Sequence, residues 1–222
     1  IVFLSSGTNN NISINSNTLR PAGVNLPLYA VFGSGTANSS ITISNNNIQD
    51  YFSAAQNSYG VFASTGSNAW TVSNNRFFQT LPRTINTVAA GVRAIIISAG
   101  GGYSITNNVI GYSNSGGTGF TSYTTTQLNN LIVGIQLTGD ANSSTIQGNV
   151  ISNITLNTAS NTTAVPGIFT GIYVSAGAVN ISTNTIGAAT GTGAINITCS
   201  VTGTQLLATG ITVSSLAPNA VN

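Results

Sequence analysis

Residues 40–49 read SITISNNNIQ. Isoleucine alternating with small polar residues argues for a β-strand with one buried face. Three asparagines then interrupt it, although Asn is normally a turn residue. Within the stretch lies a short frame: an apolar residue, two small polar residues, Asn, any residue, an apolar residue. Here it runs from Ile43 through Asn46 to Ile48. It recurs at Ile14–Asn17–Leu19, Val72–Asn75–Phe77, Ile105–Asn108–Ile110, Ile146–Asn149–Ile151 and Ile181–Asn184–Ile186.

A second element alternates with this frame: a short strand that usually opens with Gly. Its copies are Tyr29-Ala-Val-Phe32, Gly60-Val-Phe-Ala63, Gly91-Val-Arg-Ala94, Gly134-Ile-Gln-Leu137, Gly171-Ile-Tyr-Val174 and Gly210-Ile-Thr-Val213. The resulting unit is strand, short turn, strand, Asn corner, variable loop. A unit of about 30 residues without helical periodicity fits one coil of a parallel β-helix. Coils stacked at the strand spacing of about 4.8 Å would make a rod roughly 30 Å long. The anchor asparagine is expected at the sharp turn between two strands, since Asn tolerates the left-handed backbone better than most residues. Its amide can donate to and accept from the Asn one coil away. Asn17, Asn46, Asn75, Asn108, Asn149 and Asn184 are therefore predicted to form an internal ladder. The neighbouring Asn45, Asn74 and Asn107 are predicted to face outward or cap the turn.

The repeated G-I-x-V and I-x-x-N-x-I coils resemble the right-handed parallel β-helix repeat family, over nearly the whole chain. The resemblance implies an all-β, right-handed solenoid of about six coils, of the pectate-lyase-like kind, as one unit over residues 1–222. It implies little about function, because pectate lyases, polygalacturonases, tailspikes and adhesins share the fold. The Asn-, Thr- and Ser-rich composition also resembles repeat regions of large secreted proteins of Bacteroidetes-type bacteria. The chain opens as if in mid-strand, and it is expected to be a section of a larger secreted protein or a processed product.

Composition narrows the chemistry. Charged residues make up only 3% of the chain. The acids are Asp50 and Asp140, the bases Arg20, Arg76, Arg83 and Arg93, and there is no Lys, Glu, His or Met. Four scattered arginines do not make a phosphate-neutralising face, so nucleic acid is not an expected partner. No apolar run reaches the length of a membrane-spanning helix. Glycosidases on this fold need paired carboxylates. Asp50 and Asp140 are expected three coils apart at different corners, too far apart to pair. A general acid/base dyad, a Ser-His-Asp arrangement, and a zinc or strong calcium site also lack the residues they need. No cofactor, metal or catalytic residue is expected. Asn-x-Ser/Thr triplets such as those at Asn38 and Asn161 are expected by chance in so Asn-rich a chain. Cys199 reads as a small buried hydrophobe.

The segments that leave the Asn corner lengthen from Leu19–Tyr29 to Ile186–Gly210. They should collect on one side in the C-terminal half, where solenoids usually bind. β-rich pieces such as INITCSV could add a side sheet there. Tyr112, Phe120 and Tyr123 are the candidate ligand or partner contacts, the alternative being that they cover the loop's own small core. Arg93 and Arg76 are expected to point away from the core. The function expected is a non-catalytic structural or adhesive solenoid of an extracellular or cell-surface protein or filament. Its partners would be further coils of the same chain, other copies, or other surface proteins. The alternative is a carbohydrate-binding or carbohydrate-active module with glycan partners and catalytic residues elsewhere.

Overall fold

The computed structural model describes residues 2–4, 7–35, 37–160, 162–188, 193–201 and 205–214. These residues contain strands and no α-helix. The longest sheet, here sheet A, takes Val2–Leu4, Tyr29–Gly33, Ser58–Ala63, Gly91–Ile97, Leu131–Thr138, Phe169–Ala176 and Ala208–Val213 in chain order. Sheet C takes Ser13–Asn15, Thr42–Ser44, Thr71–Ser73, Ser104–Thr106, Ser144–Gln147 and Val179–Ser182. Sheet D takes Thr18–Leu19, Asn47–Gln49, Arg76–Phe78, Val109–Gly111, Val150–Ser152 and Thr185–Ile186. Each strand pairs in parallel with its counterpart one coil away. The chain is thus a parallel β-helix of six coils with the seventh begun.

Two smaller sheets complete it. Sheet B (Thr8–Asn10, Ala37–Ser39, Ser67–Asn68) bridges A to C in the first three coils. Sheet E (Arg83–Ile85, Thr121–Thr125, Ile154–Thr158, Ile195–Cys199) is built from the long connections after D. The side sheet anticipated around INITCSV is real, and the long loops do gather on one side. One detail differs from the sequence reading: no loop follows the Asn corner directly, because the frame spans it. Ile43 lies in sheet C and Ile48 in sheet D, each fully buried.

Inside, like stacks on like. Sheet A contributes the column Val31, Val61, Ile95, Ile135, Ile172. Sheet C contributes Ile14, Ile43, Val72, Ile105, Ile146, Ile181. Sheet D contributes Leu19, Ile48, Phe77, Ile110, Ile151, Ile186. Most of these are completely buried. The Gly of the second element is a packing requirement. A Cβ on Gly134 would stand 2.7 Å from Ile151 Cδ1 and 2.6 Å from the Gly171 carbonyl. The sheet D side chains thus press against the sheet A backbone. In the third copy this role falls to Ala94, which lies between the flanking pairs that Gly60 and Gly134 also occupy, while Gly91 pairs with Leu131. The expected alignment of Gly91 with Gly60 is corrected accordingly.

The ladder forms as predicted, and its division of labour explains the paired asparagines. The Nδ2 of Asn17, Asn46, Asn75, Asn108 and Asn149 donates to the Oδ1 of the next ladder residue at 2.9–3.1 Å. The backbone N–H of each donates to that same oxygen. The second Nδ2 hydrogen of Asn46, Asn75, Asn108, Asn149 and Asn184 goes to a carbonyl of the preceding coil. Asn46, Asn75, Asn108 and Asn149 are buried with both amide donors and both acceptor positions filled. The left-handed backbone, however, does not belong to these residues. It belongs to the residue before each: Ser16, Asn45, Asn74, Asn107, Gly148 and Thr183, with φ between 53° and 66°. Asn45, Asn74 and Asn107 are exposed, so the first Asn turns the chain and the second pairs across coils. Asn38 is buried and accepts from Asn9 Nδ2 at 2.7 Å, which closes it to glycosylation. Asn161 lies outside the described residues.

Asn108→Ala removes the oxygen that accepts two buried donors of Asn75, and should cost about 3 kcal/mol or more. Asn17→Ala, at the exposed end of the ladder, should cost about 1 kcal/mol or less. Urea unfolding followed by emission of Trp70, the one tryptophan and fully buried, compares the two. Thr183 is exposed and β-branched at φ 53°. Thr183→Asn should raise stability in the same assay by about 0.5–1 kcal/mol, since Asn tolerates this backbone better.

Candidate functional site

The position just after each sheet D strand decides what the surface of the rod carries. It is Asp50 in the second coil, Gln79 in the third, Tyr112 in the fourth and Asn153 in the fifth. Asp50, Tyr112 and Asn153 have φ of 57°, 62° and 53°, so a tight turn recurs while its side chain changes.

In coils two and three the position is closed. Asp50 pairs with Arg83, and both side chains are nearly buried. Asp50 also accepts from the Thr80 N–H at 2.9 Å and the Thr80 hydroxyl at 2.7 Å. Arg83 Nε donates to Gln79 Oε1 at 3.0 Å, and the guanidinium lies 5.6 Å from the Phe52 ring centre. Gln79 Nε2 donates to the Tyr51 carbonyl at 3.1 Å. Burial acts to raise the Asp50 pKa, but the Thr80 hydrogen bonds and the Arg83 guanidinium together hold it below the usual 3.8. Every group in this cluster has a partner, so it reads as a clamp between sheets D and E. Asp140 sits in the fifth coil, after the Leu131–Thr138 strand, and accepts from the Asn142 N–H at 2.7 Å. The two carboxylates are three coils apart, as expected. Among the described residues no three His, Cys, Asp or Glu side chains come together as metal ligands.

In coils four and five the position opens. Tyr112 and Phe120 border a cleft of about 500 Å³, together with Thr118, Gly119, Asn153 and Gly193. Tyr112 is half-buried and Phe120 is 38% exposed. Tyr123 is not part of this surface. It lies on the inward face of its sheet E strand, 5% exposed, with Leu156 beside it in register. Burial pushes its phenol well above the usual range. The alternation Thr121, Tyr123, Thr125 in a buried strand supplies the reason: sheet E is a further wall of the rod, and Tyr123 joins the main hydrophobic core, bordering the same space as Tyr51, Phe77, Ile110 and Ile154, instead of covering a small core of the loop's own. Arg76 points outward and lies under the same loop, its NH1 3.5 Å from where a Gly117 Cβ would be.

The outer face of sheet A carries aromatics that the sequence reading did not single out. Phe3, Phe32 and Phe62 form one column, with ring centres 5.1 Å apart. Tyr29 and Tyr59 form a second, 5.4 Å apart. Arg93 continues it, 5.6 Å from the Tyr59 ring centre. Strict alternation puts Tyr29 and Phe32 on opposite faces, yet Ala30 and Val31 are both buried between them. The recurring Tyr-x-x-Phe of Tyr29–Phe32 and Tyr59–Phe62 was the available signal. Tyr29, Tyr59, Gln56 and Asn57 border an open cleft of about 380 Å³. Arg93 is outward as expected, but half-buried, donating to Gln136 Oε1 at 2.7 Å and Asn57 Oδ1 at 3.1 Å.

No family model, curated protein or solved structure matches this chain. No helix among the described residues is long and apolar enough to cross a membrane.

Because Asp50 is held ionised in the fold, stability should be constant from neutral pH down to about 5. Below about 4 the unfolded chain takes up a proton that folded Asp50 resists, so stability should fall as pH drops through the folded pKa. Asp50→Asn should flatten most of that slope, and Arg83→Ala should cost about 3–5 kcal/mol at pH 7. Urea midpoints by Trp70 emission from pH 7 to 2.5 measure both.

Proposed function

We propose that this chain is a non-catalytic structural or adhesive solenoid of an extracellular or cell-surface protein or filament, of the pectate-lyase-like β-helix kind. The observation that carries the reading is the commitment of both carboxylates to local structure, Asp50 to Thr80 and Arg83 and Asp140 to Asn142. What the rod then presents is neutral and regular. The outward columns of sheet C run Ser13, Thr42, Thr71, Ser104, Thr145, Asn180 and Asn15, Ser44, Ser73, Thr106, Gln147, Ser182. Such a surface keeps its charge state at any pH and is insensitive to salt, which suits exposure outside the cell. The compositional resemblance to large secreted bacterial repeat proteins points the same way. Further coils, other copies or other surface proteins are the partners this reading calls for.

A second reading, a carbohydrate-binding module of tailspike- or lyase-like type with catalytic residues outside this chain, is favoured by one feature. Aromatic rings stand beside amide groups in two open clefts, at Tyr112, Phe120 and Asn153 and at Tyr29, Tyr59, Gln56 and Asn57. Rings and amides together are what sugar recognition requires.

Incubation with a panel of acidic and neutral polysaccharides, assayed for new reducing ends and unsaturated products, should give no turnover. Beads coated with the chain should still be retained on surfaces bearing proteins or glycans. Turnover that disappears in Asp50→Asn or Asp140→Asn would overturn the non-catalytic reading.

A further inference from the structure

Arg93 is a cation that neither acid of the chain neutralises. It stands half-buried on the outer face of sheet A, in the Gly91–Ile97 strand. Its Nε donates to Gln136 Oε1 at 2.7 Å and its Nη1 to Asn57 Oδ1 at 3.1 Å. Both acceptors are neutral amides, which fix the guanidinium without cancelling its charge. Its Nη2 makes no hydrogen bond among the described residues and is not enclosed. Asp50 is committed to Arg83, and Asp140 to Asn142. Arg83 supplies the contrast, a nearly buried guanidinium with its carboxylate in place. A charge withdrawn from water without a counter-charge is unfavourable, so Arg93 calls for an anion.

The surroundings favour one kind of anion. Tyr59 lies between Tyr29 and Arg93, stacked on the first with ring centres 5.4 Å apart and 5.6 Å from the guanidinium carbon of the second. Tyr29 also stacks on Phe32, 4.7 Å away. The ring faces are thus taken up, which leaves the edges, where an aromatic ring is positive. The phenol hydroxyls of Tyr29 and Tyr59 have no partner among the described residues and can donate. Both rings and Asn57 line the open cleft of about 380 Å³. One guanidinium matches one negative charge in a planar group, which is a carboxylate; a phosphate carries more charge than this site can balance. An acidic sugar would look for a free ring face, whereas an extended peptide needs only the carboxylate. We infer that Arg93, with Asn57 and Tyr59, is a docking site for a carboxylate side chain on an acidic segment of a partner protein, held by the open Nη2 side of the guanidinium. The protein partner rests on the adhesive reading above; the carboxylate site does not.

The test is a ¹⁵N–¹H correlation titration of the full chain with end-blocked tetraglutamate, end-blocked tetraglutamine and trigalacturonate. Tetraglutamate should shift the Arg93 Nε–H signal and the Asn57 and Gln136 side-chain amides saturably, and tetraglutamine should not. Arg93→Gln should weaken tetraglutamate binding about tenfold, the worth of one hydrogen bond to a charged group, with Trp70 emission unchanged. Arg20→Gln, which removes an exposed charge elsewhere, should leave binding as it is. Equal binding of tetraglutamine, or an equal loss in Arg20→Gln, would overturn the site. Trigalacturonate binding more tightly than tetraglutamate through the same Arg93 signal would overturn the protein partner and favour the carbohydrate reading. No saturable shift with either acid at millimolar concentration would overturn the site and leave the adhesive reading standing, because retention on protein-bearing surfaces is measured separately.

Discussion

The amide ladder is the constraint on which the rest of the rod depends. Parallel coils place identical side chains directly above one another at the strand spacing. Most polar side chains in that position would meet their own kind unfavourably. An amide does not, because it carries two donors and two acceptor positions. In Asn46, Asn75, Asn108 and Asn149 all four are used, each of them across coils. The ladder therefore sets axial register, and register decides which apolar residues stack. A one-residue slip would turn the Ile and Val columns outward. The ladder also has a direction: each Oδ1 accepts from the N-terminal coil, while one Nδ2 hydrogen and the backbone N–H donate toward the C-terminal coil and the other Nδ2 hydrogen goes back to an N-terminal carbonyl.

A chain that is only 3% charged can hold few ions, so where it places them is informative. One ion pair, Asp50 with Arg83, is nearly buried and joins the turn after sheet D to the first strand of sheet E. Sheet E starts at that strand. The pair thus stands where the coil widens from three long faces to four. A buried carboxylate is tolerable there because two Thr80 groups and a guanidinium replace its water.

The same turn then becomes the variable part of the surface. Its left-handed backbone recurs at Asp50, Tyr112 and Asn153 but not at Gln79, while its side chain runs from Asp50 and Gln79 to Tyr112 and Asn153. The first two close on the clamp. The last two border a cleft, because the connection that follows them is longer and folds into the strands Thr121–Thr125 and Ile154–Thr158. A solenoid separates these roles well, since each coil leans on its neighbours and its connection can change without disturbing the stack.

Much of this was legible in the residues. The six repeated frames determined the parallel β-helix, the coil number and the identity of the ladder, because side chains at equivalent positions must meet in a stacked coil. Composition left only two carboxylates, and their places in the repeat put them three coils apart. Three things needed the tertiary structure. The left-handed corner belongs to Asn45, Asn74 and Asn107 and not to their ladder neighbours, since only the residue pointing inward can pair across coils. Tyr123 enters the main core because the long connection returns as a strand of sheet E, a further wall of the rod. The aromatic columns on sheet A depend on both Ala30 and Val31 facing inward, which breaks the alternation a sequence pattern assumes. Repeats report what is common to every coil. The buried Oδ1 of Asn153 is left without a hydrogen-bond partner where one coil departs from the others, and only its packed neighbours decide which atom that is.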